Sequence, residues 1–360
     1  MWGSDKICVA VVASMVALLA ASCSSAEDVG GSHSGLDAAL AVVPATAVSF
    51  TYLGLADSRD RWGLGDITSA TPTDSKEMHQ LIDKSMRSGR GAGFFAQWQF
   101  AMLKSWGWSD LDADWEVQWT GGEDSAPPAT VIKLRGDLDM DTVTDSFTDH
   151  GYKSSKVNGH TLYRRDPSKS DVGAAVFFAA VVLPDKHLVI SSSEPKPALA
   201  VIDGGADSLA DSDLVDRLTN GVDAAEYVNL ARGAAVCRVP IPSDPSDPDK
   251  VKAQYEKMRA RDIHAIDGVA AVLGDRESAA TVVTDFPTAA AAEADQKVRP
   301  DAIMAGHSMR SDRAYSDIFT IDNTTVEGRM LRYDLTFKQP AGVLAQMIIN
   351  RDAPWAFCPV

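Results

Sequence analysis

The chain is poor in the residue types that most metal and redox sites require. Only seven of its 360 residues are histidine and four are cysteine. No two of them stand four residues apart, and there is no CxxC pair. Zinc, haem and dithiol sites depend on such spacings. The sequence therefore predicts neither a metal ion nor a cofactor.

Basic residues are also scarce. The 34 Lys and Arg residues are outnumbered by 50 Asp and Glu residues, which gives a formal net charge of −16, and no local group of basic residues forms a run. Binding to a phosphate backbone needs clustered positive charge. Nucleic acid is therefore excluded as a partner.

Long apolar runs are absent except near the N-terminus. The segment Ile7 to Ala21 has about 15 residues, which is too short to cross a bilayer as a mature helix but suits the apolar region of a secretory signal. The small residues Ala20-Ala21-Ser22-Cys23 follow it. This junction resembles the lipobox of bacterial lipoproteins, which implies that the Cys23 thiol receives a diacylglyceryl group and that the new N-terminus carries an acyl chain such as palmitate.

The lipobox resemblance is incomplete, because Ala20 stands where a larger aliphatic residue is usual. A conventional cleaved signal peptide and an uncleaved anchor are the alternatives, and all three export the chain. We expect a signal peptide at residues 1–22 and a flexible tether at 23–40, since residues 24–35 are small, polar and rich in glycine. The rest is long enough for one large or two medium domains.

The body of the protein contains one pair of cysteines. Cys8 leaves with the signal and Cys23 is the lipid site, so Cys237 and Cys358 remain. In an oxidising compartment two such thiols are most simply a disulfide. Two buried free thiols are the alternative.

Patterning predicts an α+β fold with mixed or antiparallel sheets and helices packed on them. In the first part the pattern predicts strands at Ala45–Leu53, Trp115–Trp119, Thr130–Leu134, Ala174–Leu183 and His187–Ser193, a hairpin at Tyr152–Arg165 around Asn158-Gly159, and helices capped by Asp74 and Asp141, at Gly93–Trp106 and from Pro195 to about Asp203. In the second part it predicts strands at Gly233–Val239 and Ala279–Thr284, helices at Val251–Met258, from Pro287 to before Pro300 and at Ala341–Asn350, and a hairpin turning at Asp322-Asn323.

The order of elements in the second part is similar to that in the first. This favours two related α+β halves, at residues 41–207 and 208–360. The residue identities do not repeat, so the interpretation depends on element order alone.

Two motifs resemble catalytic or metal-binding signatures. Gly306-His307-Ser308-Met309-Arg310 resembles the nucleophile elbow of α/β-hydrolases, but Arg310 replaces the second glycine and no histidine follows His307 to act as base. We expect His307 and Ser308 in a surface loop. The aspartates at 110, 112, 114, 137, 139 and 141 have the opening spacing of EF-hand loops but lack the required glycine and glutamate. We expect solvated turn and cap carboxylates.

Six of the eight tryptophans lie between Trp62 and Trp119. Exposed indoles can stack on sugars or lie at membrane interfaces, which would indicate glycan or lipid binding. Helical and strand periodicity instead favours a core role for Trp98, Trp106, Trp115 and Trp119. We expect Trp62 and Trp108, each beside a glycine, nearest the surface.

The lipid-type signal, the motif VPATAVSFTYL, the tryptophan-rich segment and the strand–helix order together resemble a group of actinobacterial cell-envelope lipoproteins, diffusely over Ala41 to Asp203. This group has no established activity, so the resemblance implies a location only. It implies a lipid anchor at the outer face of the cytoplasmic membrane.

The sequence therefore favours a non-enzymatic lipoprotein that binds or scaffolds an envelope protein, lipid or glycan. A carrier of a lipid or small molecule, or a hydrolase whose site the sequence hides, is the alternative. An apolar cavity would favour the carrier, and converging Ser, His and Asp side chains would favour the enzyme.

Overall fold

The structure is a computed structural model that describes residues 34–88, 90, 93–121, 126–165, 177–222, 225–237, 263–273, 276–340 and 342–358, without the side chains of Gln97 and Phe100. The predicted signal peptide, Cys23 and the predicted helix at 251–258 lie outside these residues. The described residues belong to one unit, Ser32–Val360.

Nine α-helices and twelve strands are present in these residues. The helices are α1 (Ser34–Leu40), α2 (Leu55–Arg61), α3 (Lys76–Ser88), α4 (Gln99–Ser105), α5 (Met140–Asp149), α6 (Lys196–Ile202), α7 (Asp213–Thr219), α8 (Ala289–Met304) and α9 (Gly342–Ile349). The strands are β1 (Ser49–Gly54), β2 (Ala113–Thr120), β3 (Ala129–Leu134), β4 (Lys153–Val157), β5 (His160–Arg164), β6 (Ala179–Leu183), β7 (Leu188–Ser191), β8 (Tyr227–Arg232), β9 (Gly268–Leu273), β10 (Ala279–Asp285), β11 (Phe319–Glu327) and β12 (Met330–Phe337).

All twelve strands form one sheet in the order β11-β12-β10-β9-β8-β1-β2-β3-β7-β6-β5-β4. Each neighbouring pair is antiparallel. The fold is therefore α+β, as the patterning predicts. The strands of each predicted half are contiguous, and the halves join where β1 pairs with β8, from Ser49 opposite Ala231 to Leu53 opposite Tyr227.

The two halves also run outward from this junction in a related order. Each begins with a three-stranded meander, β1-β2-β3 or β8-β9-β10, and then places a helix, α5 or α8, before its outer strands. The division into two related halves, with its boundary at 207/208, stays a prediction.

Apolar side chains cover both faces of the sheet. On one face, which we call face A, Leu53, Ile132 and Leu273 pack with the buried sides of α5, α8 and α9. On the other, face B, Phe50 and Val228 pack with α1, α6 and α7. Burial on both faces at about 25 cal/mol per Å² of apolar surface is the main stabilising contribution to such a layered fold.

Several element predictions were wrong. Residues 34–40, predicted as tether, form α1, and α2 follows β1 in a segment where no helix is predicted. Ser75, not Asp74, caps α3 by accepting from the Met78 amide at 3.1 Å, and Asp139, not Asp141, caps α5. Residues 233–235 form a 3₁₀ turn rather than part of a strand.

The predictions around Pro300 and Asp322 also failed. Pro300 lies inside α8, which Thr288 caps through the Ala291 amide. A proline there removes one backbone hydrogen bond, but packing against β11 and β12 holds the helix together. The β11–β12 hairpin turns at Gly328-Arg329, where Gly328 has φ +60°, and Asp322 lies in a β-bulge.

Candidate functional site

A polar floor lies at the centre of face A, where the two halves join. Facing residues on paired strands point to the same side of a sheet. Thr51 on β1 lies between Gln118 on β2 and Asn229 on β8, and Ser49 lies opposite Thr120. Asn229 Nδ2 donates to Thr51 Oγ1 at 2.8 Å, and the Ser49 and Thr120 hydroxyl oxygens are 2.5 Å apart. Hydroxyl and amide groups thus replace the apolar core at this position.

Two adjoining clefts lie over this floor, with volumes of about 300 and 800 Å³. They share Thr51, Gln118, Asn229, Ile348 and Ile349, so they form one continuous groove. Ligand sites in proteins typically have volumes of about 300 to 1,000 Å³.

The walls of the groove are mainly apolar. The smaller cleft is lined by Val236, Val269 and Trp355, and the larger by Leu53, Phe94, Tyr227 and Val343. Helix α9 forms one wall, because its buried residues Leu344 and Met347 anchor it in the core while Ile348 and Ile349 border the groove.

Two exposed apolar side chains mark the groove entrance. In the described part of the chain, four large apolar side chains are exposed: Met86 81%, Phe178 68%, Val298 38% and Ile349 64%. Met86 and Ile349 both line the larger cleft. Exposed apolar groups that gather at one site indicate contact with a ligand or partner.

The charge of the lining is opposite to that of the protein. Among the described residues that line either cleft, none is acidic and the only charged ones are Arg87 and Arg351. Arg87 pairs with Asp83 at 2.9 Å. The ion pairs between described residues do not include Arg351.

Arg351 is held in a strained backbone conformation. Its φ is +56°, and it follows α9 in a Schellman motif in which the Arg351 amide donates to Ile348 O at 2.9 Å and the Asp352 amide to Met347 O at 2.7 Å. Glycine is usual at this left-handed position, where an L side chain costs about 1–2 kcal/mol. Attraction between the guanidinium and the C-terminal end of the helix dipole recovers about 0.3–1 kcal/mol.

Two buried carboxyl groups hold the opposite wall. Phe94 N donates to Glu116 Oε2 at 2.6 Å, and Gly93 N donates to Asp110 Oδ2 at 3.2 Å. Gly93 is required here, because a Cβ would lie 2.6 Å from Glu116 Oε1. Burial, and then the charge of Asp110, raise the pKa of Glu116 to about 8. Burial raises the pKa of Asp110 to about 6, although its bond from Gly93 opposes the shift.

Similarity to known proteins is limited to the overall structure. No family model matches the chain, and no curated protein matches it significantly. Three crystal forms of a protein named TP0453 are similar in structure. Form I has a TM-score of 0.40 at 11% identity and covers 87% of this chain and 97% of that one. Form III has a TM-score of 0.38 at 10% identity, with 86% and 96% covered. Form IV has a TM-score of 0.40 at 12% identity, with 86% and 95% covered. Likeness at this level says nothing about what the chain binds or does.

The predicted disulfide is present beside the groove. Cys237 and Cys358 are bonded, with their Cα atoms 5.3 Å apart, within the 4.4–6.8 Å that disulfides usually span. Cys237 follows Val236, and Cys358 follows the 3₁₀ turn Pro354–Ala356, whose Trp355 and Ala356 also line the smaller cleft. The bond therefore joins two walls of that cleft.

The hydrolase-like motif does not form a catalytic arrangement. Ser308, predicted in a surface loop, is 2% exposed. Its hydroxyl donates to Asp352 Oδ2 at 2.5 Å, and Tyr315 donates to Asp352 Oδ1 at 2.7 Å. His307 is exposed, as expected. These bonds fix the segment after α9, so the role of Ser308 is structural.

Two further expectations were wrong. Asp110 and Asp112, predicted as solvated, are 4% and 2% exposed; Asp112 forms a capping box with Ser109. Trp108, predicted near the surface, is fully buried, and its indole donates to Ser146 at 2.9 Å. Trp106, Trp115 and Trp119 are buried as expected, whereas Trp98 is half-buried.

The described ranges contain no cluster of three or more His, Cys, Asp or Glu side chains able to hold a metal ion. Likewise, they contain no helix whose length and apolar character would let it span a bilayer.

Proposed function

We propose that this chain is a non-enzymatic binding protein of the bacterial cell envelope, and that the groove on face A holds an amphipathic small molecule. The observation that carries the proposal is the combination of a hydroxyl and amide floor with apolar walls. Such a groove offers hydrogen bonds to the polar part of a ligand and a dry surface to its apolar part. The exposed positions of Met86 and Ile349 support the same role.

The groove favours a carrier over a hydrolase. Acyl transfer requires a nucleophile and a base within hydrogen-bond reach. Its described lining includes hydroxyl groups but no histidine, aspartate or glutamate that could serve as base. The carboxyl groups behind the wall at Gly93 and Phe94, Asp110 and Glu116, are buried and accept hydrogen bonds from these backbone amides.

The envelope location depends on the N-terminal sequence. We propose that Cys23 is lipidated and that the chain is anchored at the outer face of the cytoplasmic membrane, which the resemblance to envelope lipoproteins supports. Each buried methylene of an acyl chain contributes about 0.8 kcal/mol, so more than one chain gives persistent attachment.

A Cys23→Ala variant tests the anchor. We expect it to leave the membrane fraction or to keep its signal segment, as judged by fractionation and intact mass. A variant that fractionates and migrates like the parent would show that lipidation at Cys23 is wrong.

Native mass spectrometry of protein purified from its own envelope tests the binding role. We expect a co-purifying small molecule with the parent and its loss with Ile349→Glu, which places a charge in the groove entrance. Val298→Glu is the matched control, because Val298 is also exposed but lies on α8, outside the groove lining. Ligand-free parent protein, or equal loading of both variants, would contradict the role.

A further inference from the structure

We propose that the ligand is an anionic amphiphile whose head group binds Arg351 while its apolar chain lies in the larger cleft. This inference depends on the proposed function and adds the chemical class of the ligand and its orientation. It joins three independent observations: the charge of the groove, the strain at Arg351 and the difference between the two clefts.

The charge of the groove selects against cations. The protein has 50 acidic and 34 basic residues, yet the described lining of the groove has no acidic residue. A negative group entering the groove therefore meets no like charge there, and it meets a guanidinium at Arg351. Because none of the ion pairs between described residues involves that guanidinium, no described carboxylate competes with a ligand for it.

The conformation of Arg351 points to a role for its side chain. The Schellman motif after α9 needs a residue with positive φ, and glycine would supply it without strain. Strained backbone conformations are concentrated at binding and active sites, where the strain holds a side chain in position for its ligand. The second arginine of the groove, Arg87, lies in the ordinary helix α3 and is already paired with Asp83.

The two clefts differ in a way that orients the ligand. Arg351, Ser49 and Thr120 line the smaller cleft, where the hydroxyl groups add donors for anionic oxygens. Leu53, Phe94 and Val343 line the larger cleft and offer apolar surface. A head group in the smaller cleft thus places the chain over the shared Ile348 and Ile349.

Calorimetric titration with three twelve-carbon probes tests the inference. The probes are dodecyl phosphate, 1-dodecanol and dodecylammonium, each kept below the concentration at which it aggregates. We expect the parent protein to bind dodecyl phosphate at least tenfold more tightly than either of the others. Loss of one charge-assisted contact corresponds to about a ten- to a hundredfold change in affinity.

Variants of Arg351 separate charge from folding. We expect Arg351→Gln and Arg351→Gly to bind dodecyl phosphate about ten- to a hundredfold more weakly, and Arg351→Lys to stay within about threefold of the parent. Arg351→Gly removes the strain, so its melting temperature should not fall below that of the parent. Arg313→Gln is the matched control, because Arg313 is exposed but lies outside the groove lining, and it should change the affinity less than twofold.

The outcomes distinguish this inference from the proposed function. If all three probes bind equally and Arg351→Gln has no effect, the groove binds amphiphiles but the anionic class is wrong. If Arg87→Gln weakens binding and Arg351→Gln does not, the assignment of the head group to Arg351 is wrong. If the parent binds none of the probes, the proposed function itself fails.

Discussion

At the scale of single residues, Glu116 shows how a polar pattern conceals a buried group. It stands at a position on β2 whose alternation predicts exposure, yet its side chain is fully buried beneath Gly93 and Phe94. Its Oε1 atom has no partner among the described atoms. A buried carboxylate without full hydrogen bonding favours its protonated form.

Glu116→Gln should therefore change how stability depends on pH. The pKa of Glu116 is raised from 4.5 to about 8 in the folded protein, so the native state keeps a proton that the unfolded chain releases. The contribution of Glu116 to the free energy of unfolding is therefore fully present below about pH 4.5 and is lost as the pH rises towards 8. We expect the variant to lose most of this slope and to be more stable than the parent by about 2 kcal/mol at pH 8.

Urea unfolding at pH 5, 6.5 and 8 measures this difference. Asp110 adds to the same slope in both proteins below about pH 6, so the contrast is clearest between pH 6.5 and 8. Glu327→Gln, on the exposed side of β11, is the control and should behave like the parent. A Glu116→Gln variant less stable than the parent at pH 8 would contradict the protonated state.

Trp108 is the second residue-scale prediction. Trp108→Ala should lower the free energy of unfolding by about 3–5 kcal/mol, because the indole is fully buried and its donor is satisfied by Ser146. Trp62→Ala should cost clearly less, since Trp62 is half-buried against Lys84. Thermal or urea unfolding measures both variants. If both lose the same free energy of unfolding, the prediction that the buried Trp108 contributes more than Trp62 is wrong.

At the scale of elements, the disulfide fastens the C-terminal 3₁₀ turn to the segment after β8. Closing a loop of 121 residues stabilises a fold by about 4–5 kcal/mol in the chain-entropy model. In a Cys23→Ala background, Cys237→Ser with Cys358→Ser should lose about this much. It should also bind amphiphiles more weakly, because Val236 and Trp355 line the same cleft.

Thiol titration and urea unfolding check this prediction together. Denatured, unreduced protein should show no reactive thiol, and reduction of the parent should reproduce the stability of the double variant. Two reactive thiols before reduction would overturn the pairing.

The sequence predicts an element correctly where the conformational preferences of neighbouring residues decide the structure. Asn158 and Gly159 both have positive φ in the β4–β5 hairpin, as their dipeptide predicts. Predictions failed where packing decides. Pro300 is kept within α8 by its contacts with the sheet, and Gly328, not Asp322, makes the turn of β11 and β12.

The groove could be predicted only in part. The sequence predicts β1 and β2 as strands, and these contribute Thr51 and Gln118, but it does not predict β8, which contributes Asn229. Their meeting at the centre of one sheet depends on the long-range pairing of β1 with β8. Local periodicity contains no information about such pairing, so the sequence alone does not predict that these three side chains lie together.

At the scale of the whole molecule, the junction of β1 and β8 decides whether the halves are independent. A chain of residues 34–207 would leave β1 as an open edge with unpaired backbone groups. We expect this half-chain to dimerise or aggregate, and the full-length chain, in which β8 covers β1, to be monomeric. Size-exclusion chromatography with circular dichroism measures this, and a folded, monomeric half would contradict it.

The two outermost strands, β4 and β11, determine how copies of the protein behave when crowded. β4 is exposed along its length and carries Lys153 and Lys156, while β11 contains the bulge at Ile321 and Asn323. Charge and bulges on outer strands block the addition of further strands. A sheet of twelve strands thus ends without offering a template for fibril growth, even where neighbouring copies are concentrated on one surface.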